Sequence, residues 1–128
     1  MRYLLDTHVF LWAIASDRRL TKTANEILFQ RGNEFFLSAG SVWEIVTKSQ
    51  TGKLSLPTPV AGYISRHMVI NRVQSLTISF EHAARIEQLP RHHRDPFDRI
   101  LAAQSIEERM PLISGDPVFS KYQVDVVW

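Results

Sequence analysis

His92-His93-Arg94-Asp95-Pro96-Phe97-Asp98-Arg99-Ile100-Leu101-Ala102-Ala103-Gln104 is the stretch that decides how the rest of this chain is read. It opens on basic residues, sets two carboxylates three apart across a proline, and continues with apolar residues at helical spacing. Asp95 is placed to cap a helix, Pro96 fits its first position because it has no N–H to leave unpaired, and Asp98 falls in the first turn. Both acids then sit at the positive end of the helix dipole, where a carboxylate is held ionised. Alone, the pair is ordinary capping chemistry. Acids in comparable places elsewhere give it a second meaning.

Downstream, the helix runs to about Arg109, and Pro111-Leu112-Ile113-Ser114 reads as a strand ended by Gly115-Asp116-Pro117, with Val118-Phe119 in a short helix. Val124 to Trp128 reads as a last strand. Upstream, Phe80 to Leu89 is a helix with Ala83, Ala84 and Ile86 on its apolar side, stopped by Pro90. Val73 to Ile78 is a third strand or edge segment, and Pro59 opens a helix through Val60, Tyr63, Ile64 and Met68. Ser38 and Ser41 offer caps for a helix carrying Val42, Trp43, Ile45 and Val46, which puts Glu44 in or near its first turn, and Gly52 ends it. Lys48 stands four residues beyond Glu44, the favourable order for an ion pair on one helical face. Glu34 to Leu37 is a strand, and Thr21 or Thr23 caps the helix before it. Arg2 to Asp6 is a short apolar run that stops at an acid, followed by a helix through Val9 to Ile14, so Asp6 lies where a strand hands over to a helix.

Strands alternating with helices argue for one domain, residues 1–128, of α/β class: a three-layer α/β/α sandwich around a parallel sheet of four to five strands. With 45% hydrophobic residues the chain can bury a sizeable core. Its 15 Lys and Arg against 13 Asp and Glu leave a net charge of +2, too small to identify a nucleic-acid partner by itself. There is no cysteine, which removes disulfides and thiolate metal sites and suits a reducing cytosol. Asp6 and His8 interrupt the only N-terminal apolar run, so a secretory signal is not read there, and no run is long enough to span a membrane. A cytoplasmic protein is expected.

In a parallel sheet with right-handed crossovers, Asp6, the start of the Glu44 helix, Asp95 with Asp98, and Asp116 all fall at the carboxyl edge. Acids crowded there would repel one another unless a cation joins them. Oxygen donors without cysteine suit Mg²⁺ or Mn²⁺ rather than Zn²⁺, and such sites activate water for phosphodiester hydrolysis. The adjacent His92 and His93 read as solvated loop residues rather than a zinc site. Lys48, Arg94 and Arg99 are candidate contacts to substrate phosphates. Trp12 and Trp43, with apolar neighbours at helical spacing, read as packing in the core or at a subunit interface.

The combination Leu4-Leu5-Asp6-Thr7-His8, Ser41-Val42-Trp43-Glu44-Ile45 with Lys48 and Gly52-Lys53-Leu54, His93-Arg94-Asp95-Pro96-Phe97-Asp98-Arg99 and Ile113-Ser114-Gly115-Asp116 resembles the PIN-domain ribonucleases, specifically VapC-like toxins. The resemblance implies a single-stranded RNA endonuclease dependent on Mg²⁺ or Mn²⁺, usually a homodimer, silenced by a cognate antitoxin. It matches Asp6, Glu44, Asp98 and Asp116 to the acidic quartet, with Asp6 and Asp98 as foremost metal ligands and Asp95 as a further acid. Thr7 and Ser114 match small hydroxyl residues that support the metal-bound acids. The segment Ser114-Gly115-Asp116 departs from the commoner Thr-x-Asp but retains the hydroxyl. The alternative is a non-catalytic RNA- or partner-binding α/β module whose acids only cap helices. An aspartyl-phosphate protein is disfavoured because position 8 is His, where such phosphatases carry a second Asp.

Overall fold

The computed structural model describes residues 1–91 and 94–128, so the expectation for His92 and His93 falls outside the described residues. Five strands form one sheet in the order β3-β2-β1-β4-β5. They are β1 (Arg2–Leu5), β2 (Glu34–Ser38), β3 (Val73–Leu76), β4 (Leu112–Ile113) and β5 (Val126–Val127), and every pairing is parallel. Continuous apolar runs such as Tyr3-Leu4-Leu5 arise because both faces of a parallel sheet are covered. Tyr3, Leu5, Phe35, Leu37 and Ile113 pack with Val9, Phe10, Ala24, Ile45 and Ile64 in one core cluster. Leu4 and Leu112 pack with Leu101, Ala102, Ala103, Met110 and Phe119 in the other. The expected three layers follow from that alternation of side chains.

The helices are α1 (Thr7–Ala15), α2 (Lys22–Phe29), α3 (Ala39–Gln50), α4 (Val60–Ile70), α5 (Phe80–Arg85) and α6 (Pro96–Glu108). Local chemistry sets their starts: the side chains of Thr21, Ser38, Ser79 and Asp95 each accept a backbone N–H from the first turn of the helix that follows. Ser38, not Ser41, caps α3, so Glu44 lies in the second turn rather than the first. The segment from Phe80 also differs from its expected pattern. Ala83 and Ala84 are exposed and His82 is buried, its Nδ1 accepting the Ser79 N–H at 3.0 Å and its Nε2 3.2 Å from Glu108. A polar ring is tolerated inside because its nitrogens have partners. Among the described residues no helix is long and apolar enough to cross a membrane.

Strand order reverses between β1 and β4. The chain builds outward from β1 through β2 to β3, then returns to the other side of β1 for β4 and β5. Carboxyl ends of strands at such a reversal leave a crevice because the following helices diverge to opposite faces. Asp6 and Ser114, the first residues after β1 and β4, stand at that crevice.

Candidate active site

Asp6 occupies the N-cap position of α1, but its side chain makes no capping bond. Its backbone N–H donates to the Ile113 carbonyl at 3.0 Å, which ties the end of β1 to the end of β4. The carboxylate instead accepts the Ser114 hydroxyl at 2.7 Å, and that hydroxyl in turn accepts the Asp116 N–H at 3.0 Å. At 4% exposure, Asp6 is nearly sealed from solvent. Burial pushes its carboxyl above the ordinary carboxylate value; the Ser114 bond and His8 oppose this, and the charges of Glu44 and Asp116 add to it. A buried acid whose ionisation is opposed by two neighbouring acids marks a site that calls for positive charge.

Glu44 is buried on α3, and its Oε2 lies 2.5 Å from Nζ of Lys48 one turn on. Burial works against the ammonium, but the hydrogen bond to Glu44 and the charges of Glu44, Asp95 and Asp98 outweigh it and raise the lysine. The expected Glu44–Lys48 pair therefore exists, and it also feels both acids at the start of α6. Thr7 donates to Ser41 at 2.8 Å, joining the first turns of α1 and α3 beneath the acids. Thr7 and Ser114 are both buried, each in a hydroxyl bond that fixes a neighbour.

Asp95 caps α6 as its sequence requires, accepting the Phe97 N–H at 2.9 Å and the Asp98 N–H at 3.4 Å. Asp98 is half-buried in the first turn, with Pro96 at the helix start. Asp116 is exposed and accepts the Val118 N–H at 3.0 Å, starting a short 3-10 turn over Pro117–Lys121. Gly115, between Ser114 and Asp116, lies under the indole of Trp128; a Cβ there would come within 2.7 Å of the ring. Only glycine allows that approach.

The acids share one edge without forming a finished cage. Among the described residues, no three Asp, Glu or His side chains stand close enough to hold one ion. The present partners of the acids account for that arrangement. Ser114 holds Asp6, the Lys48 ammonium holds Glu44, and Asp116 is engaged in its own turn. The oxygen-only donor set, with no cysteine, still fits a hard divalent cation.

The cations divide. Arg94 is exposed beside Asp95. Arg99 bonds the carbonyls of Pro90 at 2.9 Å and Ile86 at 3.2 Å, with Tyr122 Oη at 3.4 Å, so it braces α6 against the preceding turn. Trp12 is partly buried in the core, as expected. Trp43 lies outside the core, 61% exposed in the single chain, its ring edge-on to Phe97 at 5.0 Å. His8 and Lys53, given no site role from the sequence, line a small cleft together with Thr7 and Lys48.

Comparison with known proteins matches this frame. The sequence profile of the PIN domain matches residues 3–125. Ribonuclease VapC22 of Mycobacterium tuberculosis (strain ATCC 25618 / H37Rv) is 28% identical over 114 residues, covering 88% of this chain and 85% of its own length. Among solved structures, VapBC2 from Rickettsia felis, bound to a DNA fragment from the promoter, has a similar chain with a TM-score of 0.71 at 15% identity, covering 99% of this chain and 98% of that one. A toxin-antitoxin complex from Klebsiella pneumoniae has a TM-score of 0.63 at 20% identity, over 98% and 96%. FitAcB from Neisseria gonorrhoeae has a TM-score of 0.62 at 18% identity, over 100% and 97%. At these identities the structural likeness speaks for the fold.

Proposed function

The chain belongs to the PIN-domain family, and from that premise we propose that it is an endoribonuclease that hydrolyses phosphodiester bonds of single-stranded RNA, acting as the toxin of a toxin–antitoxin pair. The observation that carries the proposal is Asp6: a buried carboxylate at the strand-order reversal, bonded to Ser114 and raised in part by Glu44 and Asp116. The relative named ribonuclease VapC22 supports the activity, and the toxin-antitoxin complex among the structural relatives supports a protein antitoxin as partner. The assembly we propose is a homodimer.

Asp6, Asp98, Glu44 and Asp116 are the residues that would hold Mg²⁺ or Mn²⁺, with Asp95 behind Asp98. Bound there, the ion would supply a water of lowered pKa and neutralise charge on the phosphate. The protein's own contributions are specific. Ser114 aims the Asp6 carboxylate by donating to one of its oxygens, leaving the other for coordination. Thr7 and Ser41 fix the starts of α1 and α3 relative to each other, and so the spacing of Asp6 and Glu44. Lys48 balances Glu44 and stands near Asp95 and Asp98, where its ammonium can also meet a substrate phosphate.

The test is incubation of the purified chain with single-stranded RNA and Mg²⁺ or Mn²⁺, followed by analysis of product ends. Cleavage to 5′-phosphate and 3′-hydroxyl ends, abolished by EDTA and in Asp6→Asn and Asp98→Asn, is the expected result. Cleavage that persists in both variants would remove the acids from the chemistry. Binding of RNA without any cleavage would favour the non-catalytic module.

A further inference from the structure

Helix α3 carries different chemistry on its two flanks. Toward α1, a cleft of about 270 Å³ opens between the helices, with apolar walls from Leu11, Ile45 and Leu54 and with Thr7, His8, Lys48 and Lys53 as its polar groups. The turn that ends α3 puts both lysines there. The N–H groups of Lys53 and Leu54 donate to the Lys48 carbonyl at 2.9 and 3.2 Å, with Gly52 supplying the left-handed φ of +78° that the reversal needs. Lys48 is paired with Glu44, whereas Lys53 is exposed and has no ion-pair partner among the described residues. A cation of that kind in the wall of a cleft is suited to an anionic group.

Toward α6, the flank is aromatic. Trp43 precedes Glu44, and Phe97, its edge-on partner, lies between Asp95 and Asp98. With each residue turning about 100° around the helix, Glu44 falls between Trp43 on one side and cleft-lining Ile45 on the other. A long helical side chain leans toward the helix N-terminus, which for Trp43 is the edge that carries the acids.

We propose that a single-stranded nucleic acid crosses α3 with a backbone phosphate held in the Lys48–Lys53 cleft and a base stacked on Trp43, so that the phosphodiester between them passes over Asp6 and Glu44. The proposal deepens the nuclease reading and rests on it. Phosphate charge and the π-face of a base are the two features every single strand offers whatever its sequence, and the two flanks of α3 provide one receptor for each. A subunit contact would also cover Trp43, and the sedimentation arm of the test separates that occupant from a base.

The test measures binding apart from cutting. A fluorescently labelled 12-nucleotide single-stranded RNA is titrated by anisotropy in EDTA against Asp6→Asn protein, across a range of KCl concentrations. Lys53→Met in that background should reduce the slope of log K against log salt by about 0.7, the share of one phosphate on a single strand, while Lys53→Arg keeps it. Trp43→Ala should weaken binding about 5- to 150-fold with the slope unchanged, the range spanned by loss of one base–aromatic stack. Both positions are exposed, and circular dichroism confirms folding of each variant. If either loss fails to occur in folded protein, the proposed track is overturned. It is also overturned if Trp43→Ala changes the sedimenting mass along with the affinity, which would make Trp43 a subunit contact. The two readings fail separately. Predicted binding losses with no metal-dependent cleavage by the wild type would sink the nuclease and keep the track, whereas cleavage with unaltered variant binding would sink the track alone.

Discussion

Removing the ammonium of Lys48 is the most informative single perturbation, because that group supplies the positive charge at the acidic edge. The Glu44 side chain is 4% exposed and that of Lys48 36%, at 2.5 Å. Breaking a fully buried pair costs about 3–5 kcal/mol, and an exposed one about 0–1. One buried and one partly solvated partner place Lys48→Met between these limits, at about 2 kcal/mol of lost stability, and for a chain of this length that lowers Tm by about 7 °C. Glu44→Gln in addition removes the stranded carboxylate, so the double variant should be more stable than the two single losses added together. The assay is urea unfolding and thermal melting of wild type, both single variants and the double in EDTA. Mn²⁺ should then raise the Tm of Lys48→Met more than that of wild type, because the ion no longer competes with the ammonium for Glu44. Additive single losses, or equal Mn²⁺ shifts, would refute competition between the Lys48 ammonium and the ion for Glu44.

Asp6→Asn should stabilise the metal-free protein near neutral pH. The folded carboxyl of Asp6 lies above its ordinary 3.8, so the stability it contributes is complete below that value and is lost as pH rises through the raised one. The advantage of the variant should therefore appear above that window and vanish at lower pH, as melting curves across pH in EDTA can show; a gain that is flat with pH would contradict it. Gly115→Ala, which sets a methyl 2.7 Å from the Trp128 ring, should cost about 1–3 kcal/mol. Adding Trp128→Ala should make the glycine substitution nearly neutral, and denaturation of the four proteins of that cycle checks it. Mn²⁺ at a hundredfold its dissociation constant should stabilise the wild type by about 2.7 kcal/mol if it binds only the folded chain, and a melting curve unmoved by Mn²⁺ would exclude such a site.

Features set by neighbours in sequence were legible in it. The Asp95 cap with Pro96 behind it, the apolar runs of a doubly covered sheet and the Glu44–Lys48 pair all depend on residues a few positions apart. What was not legible depends on contacts from far along the chain. Asp6 and Asp116 share one strand–acid–helix pattern, yet Asp116 caps its turn and Asp6 does not, because the partner of Asp6 is a serine 108 residues away. Ser41 resembled a cap but is taken by Thr7. Trp43 matched an apolar stripe, but the buried side of α3 is built from Ser41, Glu44 and Ile45, and the indole falls at its edge. Ala83 and Ala84 looked like the inner face of α5, whereas His82 goes inside because Ser79 and Glu108 satisfy both ring nitrogens. Each departure is a polar group satisfied over distance, or an apolar one left at an edge, and neither is encoded in local periodicity.

The central claim is that acids scattered along the chain serve one metal ion. Electron paramagnetic resonance of free Mn²⁺, titrated against the protein, measures that most directly. Wild type should remove the free-ion signal with saturable stoichiometry, and Asp6→Asn and Asp98→Asn should each weaken binding at least about tenfold, as loss of a direct ligand must exceed the low end of the effect of losing its supporting partner. Equal Mn²⁺ binding by wild type and both variants would contradict the account.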